Sequence, residues 1–329
     1  MRVCIFGAGA VGSFIAVKLA NAGLAVSCVA RGPHLAAIRA NGLKLESEGK
    51  TTVVRLNASD DAAALGPQDF VLLTLKAHQL PAAAGGIAEL LGPATTLVSC
   101  MNGVPWWYFH KLAGPYEDVR LSSVDPGGVL WEKLPPGRAL GALVYPACMM
   151  VAPGVVRHIF SNRFAVGEPD GADSGRAHAL AEGFTRAGLE CPVRPRIRDD
   201  IWLKLWGNLS FNPISALTGA TLDQMARDPG TQGVARAMMV EAREVAERLG
   251  VRFSIDVDRR IAMAAQVGAH KTSMLQDLER GKSLELDALL GAVVEMGRLV
   301  GVPTPMCEAI LALARQRARV AGGYPAEGS

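Results

Sequence analysis

Apolar and polar positions alternate along the first half of the chain in blocks that read as buried strands joined by helices. Val3-Cys4-Ile5-Phe6 is a short apolar run stopped by Gly7, and Val11 to Leu19 behind it is rich in Ala, Val, Ile and Leu without proline. That pattern predicts strand, tight turn and helix. Leu24 to Val29, Phe70 to Leu75 and Thr95 to Val98 are further apolar runs separated by Ala-rich stretches, an alternation that implies a parallel sheet covered on both faces. At Pro192-Val193-Arg194-Pro195 the pattern turns almost wholly helical. Val234, Met238, Val245 and Leu249 share one face of a helix expected from Val234 to Leu249. Others are expected from about Leu284 to Val300 and after Pro305, before a tail, Ala321 to Ser329, read as frayed.

Composition narrows the function classes. The 34 basic and 31 acidic residues leave a net charge of +3 over 329 residues, with no basic stripe of the kind a nucleic-acid binder carries. The six cysteines contain no C-x-x-C pair and are expected to be reduced. Met1-Arg2 leads into a run of only four apolar residues before Gly7, too short for a signal peptide. The longest uncharged run, Ala139 to Val156, is broken by Gly141, Pro146, Pro153 and Gly154, which fits strands and turns better than a membrane span. A cytoplasmic location is therefore expected.

Gly7-Ala8-Gly9-Ala10-Val11-Gly12 matches G-x-G-x-x-G, and it stands where the motif has physical meaning, directly after the first strand and opening a helix. There Gly7 allows the tight turn, Gly9 admits a pyrophosphate to the backbone, and Gly12 lets helix and strand pack closely, while the helix N-terminus offers N–H donors. The expected fold class is thus α/β: a Rossmann-type dinucleotide-binding domain over residues 1–194 and an all-α domain over 195–329. The second strand ends in Ala30-Arg31-Gly32, with no acid to accept from the adenosine ribose. Arg31 suits a 2′-phosphate, so NADP (NADPH) is the expected cofactor.

In the helical half, Ile201 to Pro213 is apolar on nearly every face, yet Lys204, Asn208 and Asn212 recur every fourth position. That spacing puts a lysine and two amides on one stripe of a buried helix. A desolvated lysine has its pKa pushed down, toward what a general acid near neutral pH needs. Lys76 and Asn102 each follow a buried strand, at the sheet edge where ligands bind. Thr272-Ser273-Met274-Leu275-Gln276-Asp277 and Ser283-Leu284-Glu285-Leu286-Asp287 add hydroxyls and carboxylates to an otherwise apolar domain.

Taken together, Gly7-x-Gly9-x-x-Gly12, Thr74-Leu75-Lys76, Asn102-Gly103, Lys204-Leu205-x-x-Asn208-x-x-x-Asn212-Pro213, Ser273-Met274-Leu275-Gln276-Asp277 and Glu285-Leu286-Asp287 span nearly the whole chain. This combination resembles the ketopantoate reductase (2-dehydropantoate 2-reductase) family. The resemblance implies reduction of ketopantoate to pantoate with NADPH, a step toward pantothenate and coenzyme A, in a cleft between an α/β and a helical domain. It implies Lys204 as the general acid at the C2 carbonyl and Glu285 as its electrostatic partner. Asn208, Asn212 and Ser273 would hold the substrate's hydroxyl and carboxylate, and Lys76 and Asn102 would line the junction of cofactor and substrate. No metal is required. Another branched or aromatic 2-oxo acid stays open as the substrate, because one methyl group changes selectivity by only ~1–3 kcal/mol, and the bulky pair Trp106-Trp107 could reshape a cleft. The expected partners are a small 2-oxo acid and a second copy of the chain in a homodimer, with neither nucleic acid nor membrane.

Overall fold

The computed structural model describes residues 1–324. Its contacts divide into two compact units. The first comprises Met1–Met101, Pro105–Arg120 and Asp125–Ile197, and the second Asn102–Val104, Leu121–Val124 and Arg198 onward. Two short segments from the first half of the chain therefore belong with the helical unit, a grouping that one cut in the sequence does not describe.

Unit 1 holds eleven strands: β1 (Arg2–Phe6), β2 (Ala25–Val29), β3 (Leu43–Ser47), β4 (Lys50–Val54), β5 (Asn57–Ser59), β6 (Gln68–Leu73), β7 (Leu91–Ser99), β8 (Ala139–Val144), β9 (Ala147–Ala152), β10 (Val155–Phe160) and β11 (Phe164–Gly167). The main sheet runs β11-β8-β7-β6-β1-β2-β5. All its pairings are parallel except β11 on β8, which is antiparallel. The strand order reverses between β1 and β6, and in an open α/β sheet ligands bind at that reversal, beyond the strands' carboxyl ends. Helices α1 (Ala10–Asn21), α2 (Gly32–Asn41), α3 (Leu80–Ala88), α4 (Val129–Lys133) and α5 (Gly175–Arg186) complete the unit.

A second sheet, β4-β3-β10-β9, does not show in the sequence pattern. Three of its strands, β3, β4 and β10, mix polar with apolar residues, as sheets solvated on one face do, and in β4 only Val54 is buried. The uncharged run from Ala139 to Val156 is indeed strands and turns, but split between the sheets: β8 is buried throughout, whereas β9 is half-exposed. No described helix is long and apolar enough to cross a membrane. Trp106 and Trp107 are core residues, 3% and 0% exposed, with indole N–H groups donated to the Leu134 carbonyl and to Ser99 Oγ.

Unit 2 is built from α6 (Ile197–Thr218), α7 (Leu222–Arg227), α8 (Pro229–Arg248), α9 (Val257–Gln266), α10 (Ser273–Glu279), α11 (Ala292–Val300) and α12 (Pro305–Val320). In α8 the buried positions are Ala235, Met238, Met239, Ala242, Val245 and Ala246, so small alanines line the contact face that the bulky residues alone suggested. The helix expected from Leu284 begins later, because Asp287–Gly291 forms a π turn ahead of α11. Single π turns inside helices recur at functional sites. The sequence predicts fraying from Ala321, and residues 325–329 lie outside the described part, but Tyr324 is anchored. Its hydroxyl donates to Asp287 Oδ2 at 2.7 Å, and Arg315 Nη2 pairs with Asp287 Oδ1 at 2.5 Å. The start of the π turn is thereby tied to α12 and to the last described residue.

Candidate active site

The glycine loop connects β1 to α1 at the reversal of strand order. Gly7 has φ +105°, and a Cβ there would lie 2.7 Å from Leu75 Cδ2; one on Gly12 would lie 2.6 Å from Thr74 Oγ1 and 2.9 Å from Ile5 Cγ2. Both glycines are therefore demanded by the protein itself. Gly9 is different. Its backbone is extended (φ −70°), a Cβ would touch nothing within 4 Å, and it is exposed. Neither conformation nor packing requires glycine at Gly9, so the room it leaves faces outward, where a pyrophosphate needs close approach to the backbone. The loop fits a dinucleotide.

Thr74 is legible in the sequence only as part of a motif. In the structure its hydroxyl donates to the Gly7 carbonyl at 2.7 Å. It braces the loop from the end of β6, two residues before Lys76, which is half-buried. Ala8 is buried, and Ala10 and Val11 begin α1. Arg31 follows β2 as the residue preceding α2; it is exposed and makes no ion pair among the described residues. Of the acids that follow the adjacent β5, Asp60 pairs with Arg39 and Asp61 accepts from the Ala63 N–H.

His34, by its isolation in the sequence a structural or surface residue, holds the loop at one remove. Its Nδ1 accepts from the Gly154 N–H at 2.9 Å, which leaves the proton on Nε2, 3.4 Å from Ser13 Oγ; Ser13 in turn donates to the Ala8 carbonyl at 2.9 Å. Burial lowers the His34 pKa below the ordinary 6.5, opposed by a smaller contribution from the Ala8 carbonyl. A second proton would have to go on Nδ1 and would displace Gly154. Because the folded pKa lies below the unfolded one, this contribution is complete above pH 6.5 and is lost as pH falls through the folded value. Thermal melts across that range should show the loss in the wild type, whereas His34→Gln should flatten that part of the profile. Identical profiles would show that His34 is not the titrating group.

In unit 2, α6 buries Trp202, Leu205, Trp206 and Leu209 on one side, with Trp206 stacked on Phe253 at 3.9 Å and its N–H donated to the Met239 carbonyl. The row Lys204, Asn208, Asn212 follows another side. Lys204 Nζ donates to Asn102 Oδ1 at 2.9 Å. Asn208 is half-buried and Asn212 is 6% exposed, yet neither side-chain amide has a partner among the described residues. Amides without a protein partner are open to the polar groups of a bound molecule. Pro213 also lacks the N–H that would bond the Leu209 carbonyl, loosening the helical turn beside Asn212.

Asn102 is delivered to Lys204 by the neighbouring glycine. Gly103 has φ +87°, and a Cβ there would lie 2.5 Å from the Ala288 carbonyl oxygen, the same carbonyl that accepts the Val104 N–H at 2.8 Å. The loop thus docks on the π turn. Glu285, 8% exposed, stands two residues before that turn, and Ser273 is the exposed first residue of α10. Of the residues singled out in the sequence, the glycine loop, Arg31 and Lys76 belong to unit 1, and Asn102, Lys204, Asn208, Asn212, Ser273 and Glu285 to unit 2. Sequence reasoning missed Thr74 and His34 as braces because Thr74 bonds a backbone carbonyl, and His34 a backbone amide and a serine far from it in sequence, which leave no pattern in the side-chain alphabet.

A doubly wound sheet with an open-sided Gly9 and a helical unit presenting a lysine among unsatisfied amides define the class: a nicotinamide-dinucleotide-dependent oxidoreductase. Comparison with known proteins specifies it. Residues 3–171 match the family described as ketopantoate reductase PanE/ApbA, and residues 196–318 match its C-terminal counterpart. The chain belongs to the ketopantoate reductase family. It is 55% identical to a 2-dehydropantoate 2-reductase of Mesorhizobium japonicum over 98% of this chain and 100% of that one. A crystal structure from Ralstonia solanacearum MolK2, named for a ketopantoate reductase, is 44% identical, covers 98% and 99% of the two chains, and superposes with a TM-score of 0.94. A PanE/ApbA family ketopantoate reductase from Ralstonia eutropha JMP134 is 31% identical, covers 98% and 100%, and has a TM-score of 0.84.

Proposed function

We propose that this chain catalyses the NADPH-dependent reduction of 2-dehydropantoate to (R)-pantoate. Reducing a 2-oxo acid places a hydride on C2 and a proton on its oxygen, so the protein must hold a proton donor at the carbonyl and donors at the carboxylate. The observation that carries the reading is the row on α6: Lys204 bonded to Asn102, beside two amides that no protein group satisfies among the described residues. In this reading Lys204 donates the proton, and Asn102 aims its ammonium. Glu285 offsets the charge of Lys204, while Asn208, Asn212 and Ser273 hold the substrate's hydroxyl and carboxylate. Gly7 to Gly12 would hold the dinucleotide, which supplies the hydride when bound, with Lys76 and Asn102 lining its junction with the substrate.

The choice of NADPH rests on Arg31, exposed and without an ion pair among the described residues at the end of β2. A charge-assisted contact to a phosphate contributes about 1.5–3 kcal/mol. Arg31→Ala is expected to raise the KM for NADPH about tenfold or more and to leave NADH nearly unaffected; equal losses with both would assign Arg31 elsewhere. Steady-state rates with NADPH and NADH across a panel of 2-oxo acids test the whole reading. 2-Dehydropantoate should give the highest kcat/KM. Preference for another branched or aromatic acid would overturn the substrate while keeping the chemistry.

A further inference from the structure

On the third turn of α6, Gly207 stands where nearly any other residue would serve a helix better, since glycine is the poorest helix former after proline. The reason is Arg260 of α9: its guanidinium occupies the space that a Cβ on Gly207 would need. Residue 207 lies one turn beyond Lys204 and next to Asn208 in sequence, so it borders the polar side of α6 at its Lys204 edge. The arginine head thus lies against α6 within one turn of Lys204.

No protein group among the described residues balances that charge. Arg260 makes no hydrogen bond or ion pair through its side chain there. The acids nearest in sequence are committed elsewhere: Asp256 accepts the Arg259 N–H at 2.7 Å, and Asp258 pairs with Arg236 at 2.9 Å. Asp199, near the start of α6, accepts the Arg252 N–H at 3.1 Å. Burial accordingly pulls the Arg260 pKa below arginine's ordinary value, with no opposing charge. A desolvated guanidinium without a counter-ion is destabilising, and a helix that gives up a side chain to admit one compounds the cost.

We propose that Arg260 binds the carboxylate of the 2-oxo acid, a specificity role that rests on the function proposed above. A planar fork of N–H donors matches a carboxylate through two parallel bonds, which a lysine ammonium cannot do. The two cations thereby divide the substrate. Arg260 takes the C1 carboxylate, and Lys204, held by Asn102, is left for the C2 oxygen. The site requires a negatively charged group next to the keto carbon, and neutral ketones lack the group that Arg260 binds.

The test compares 2-dehydropantoate with its carboxamide, which keeps the keto group and loses the charge. Arg260→Gln should raise the KM for the acid about ten- to hundredfold, with little change in KM for the amide, and Arg260→Lys should recover part of the difference. Gly207→Ala, which evicts the guanidinium, should reproduce the pattern of Arg260→Gln. The melting temperature of Arg260→Gln should equal or exceed that of the wild type, because an uncompensated charge is removed, so a rise in KM cannot come from unfolding. Equal changes on acid and amide, or an unchanged KM for the acid, overturn the assignment. A wild-type enzyme that reduces no 2-oxo acid overturns the function instead. Calorimetric binding of pantoate to wild type and Arg260→Gln then still decides Arg260, since equal affinities exclude it.

Discussion

Lys204→Ala is expected to lower kcat by about 10²–10⁴-fold, the range spanned by general acid catalysis, while the Kd for the dinucleotide changes little. The asymmetry follows from placement: the glycine loop and its braces Thr74, Ser13 and His34 belong to unit 1, and Lys204 with its partner Asn102 to unit 2. Asn102→Ala should reduce kcat less, because it removes the group that orients the ammonium and leaves the proton donor in place. Glu285→Gln should also lower kcat, and the Lys204→Ala, Glu285→Gln double variant should be little worse than Lys204→Ala alone, as expected when two groups serve one event. Stopped-flow single-turnover rates would read this directly. Losses that multiply would separate the two residues, and a near-normal kcat for Lys204→Ala on every 2-oxo acid would make Lys76 the next candidate for the acid.

The second large effect is expected at Gly103. Substitution by alanine must either force a left-handed backbone on a residue with a Cβ or break the close approach to Ala288. The first costs about 1–2 kcal/mol, and loss of the Val104 to Ala288 hydrogen bond adds about 0.5–1.5 kcal/mol. Gly103→Ala should therefore lower the melting temperature by several degrees and reduce kcat at least as much as Asn102→Ala, since the whole loop moves with its side chain. Gly23 offers the control: its φ is +81°, a Cβ there would meet nothing within 4 Å, and it lies in unit 1. Gly23→Ala shares the backbone cost but should spare kcat. Equal kinetic losses in both variants would show that the docking of Gly103 has no part in the site.

Most of this architecture is legible in side-chain pattern alone. The strand and helix around Gly7 to Gly12 are marked because burial, periodicity and glycine placement agree locally. The row Lys204, Asn208, Asn212 is legible for the opposite reason, as polar residues out of place in an apolar helix. The small sheet escapes because its strands are short, partly exposed and paired across distant segments, β3 with β10 among them. The late start of α11 escapes because a π turn differs from an α turn in backbone register, which Leu284 to Leu290 does not advertise. Tyr324 escapes because proximity to the terminus outweighs one tyrosine, and its hydrogen bonds to Asp287 depend on a turn that is itself hidden. Arg260 escapes since an arginine on a helix is ordinary until its partner proves to be a missing side chain.

The interleaving of the two units also governs how the chain can be made. Asn102 to Val104 and Leu121 to Val124 leave the ribosome well before α6, yet their contacts lie with the helical unit. Glu295 of α11 accepts the N–H groups of Ser122 and Ser123, so this early segment waits for residues near the end of synthesis. Until then its loop is exposed while the strands around it are able to pair, a natural stage for chaperone contact. The same order forbids a simple split. A fragment beginning at Arg198 would carry Lys204 and Glu285 without Asn102 and without the strip that Glu295 grips, whereas a permuted chain that opens in the Gly171 to Ser174 connection would keep every one of these pieces on a continuous polypeptide.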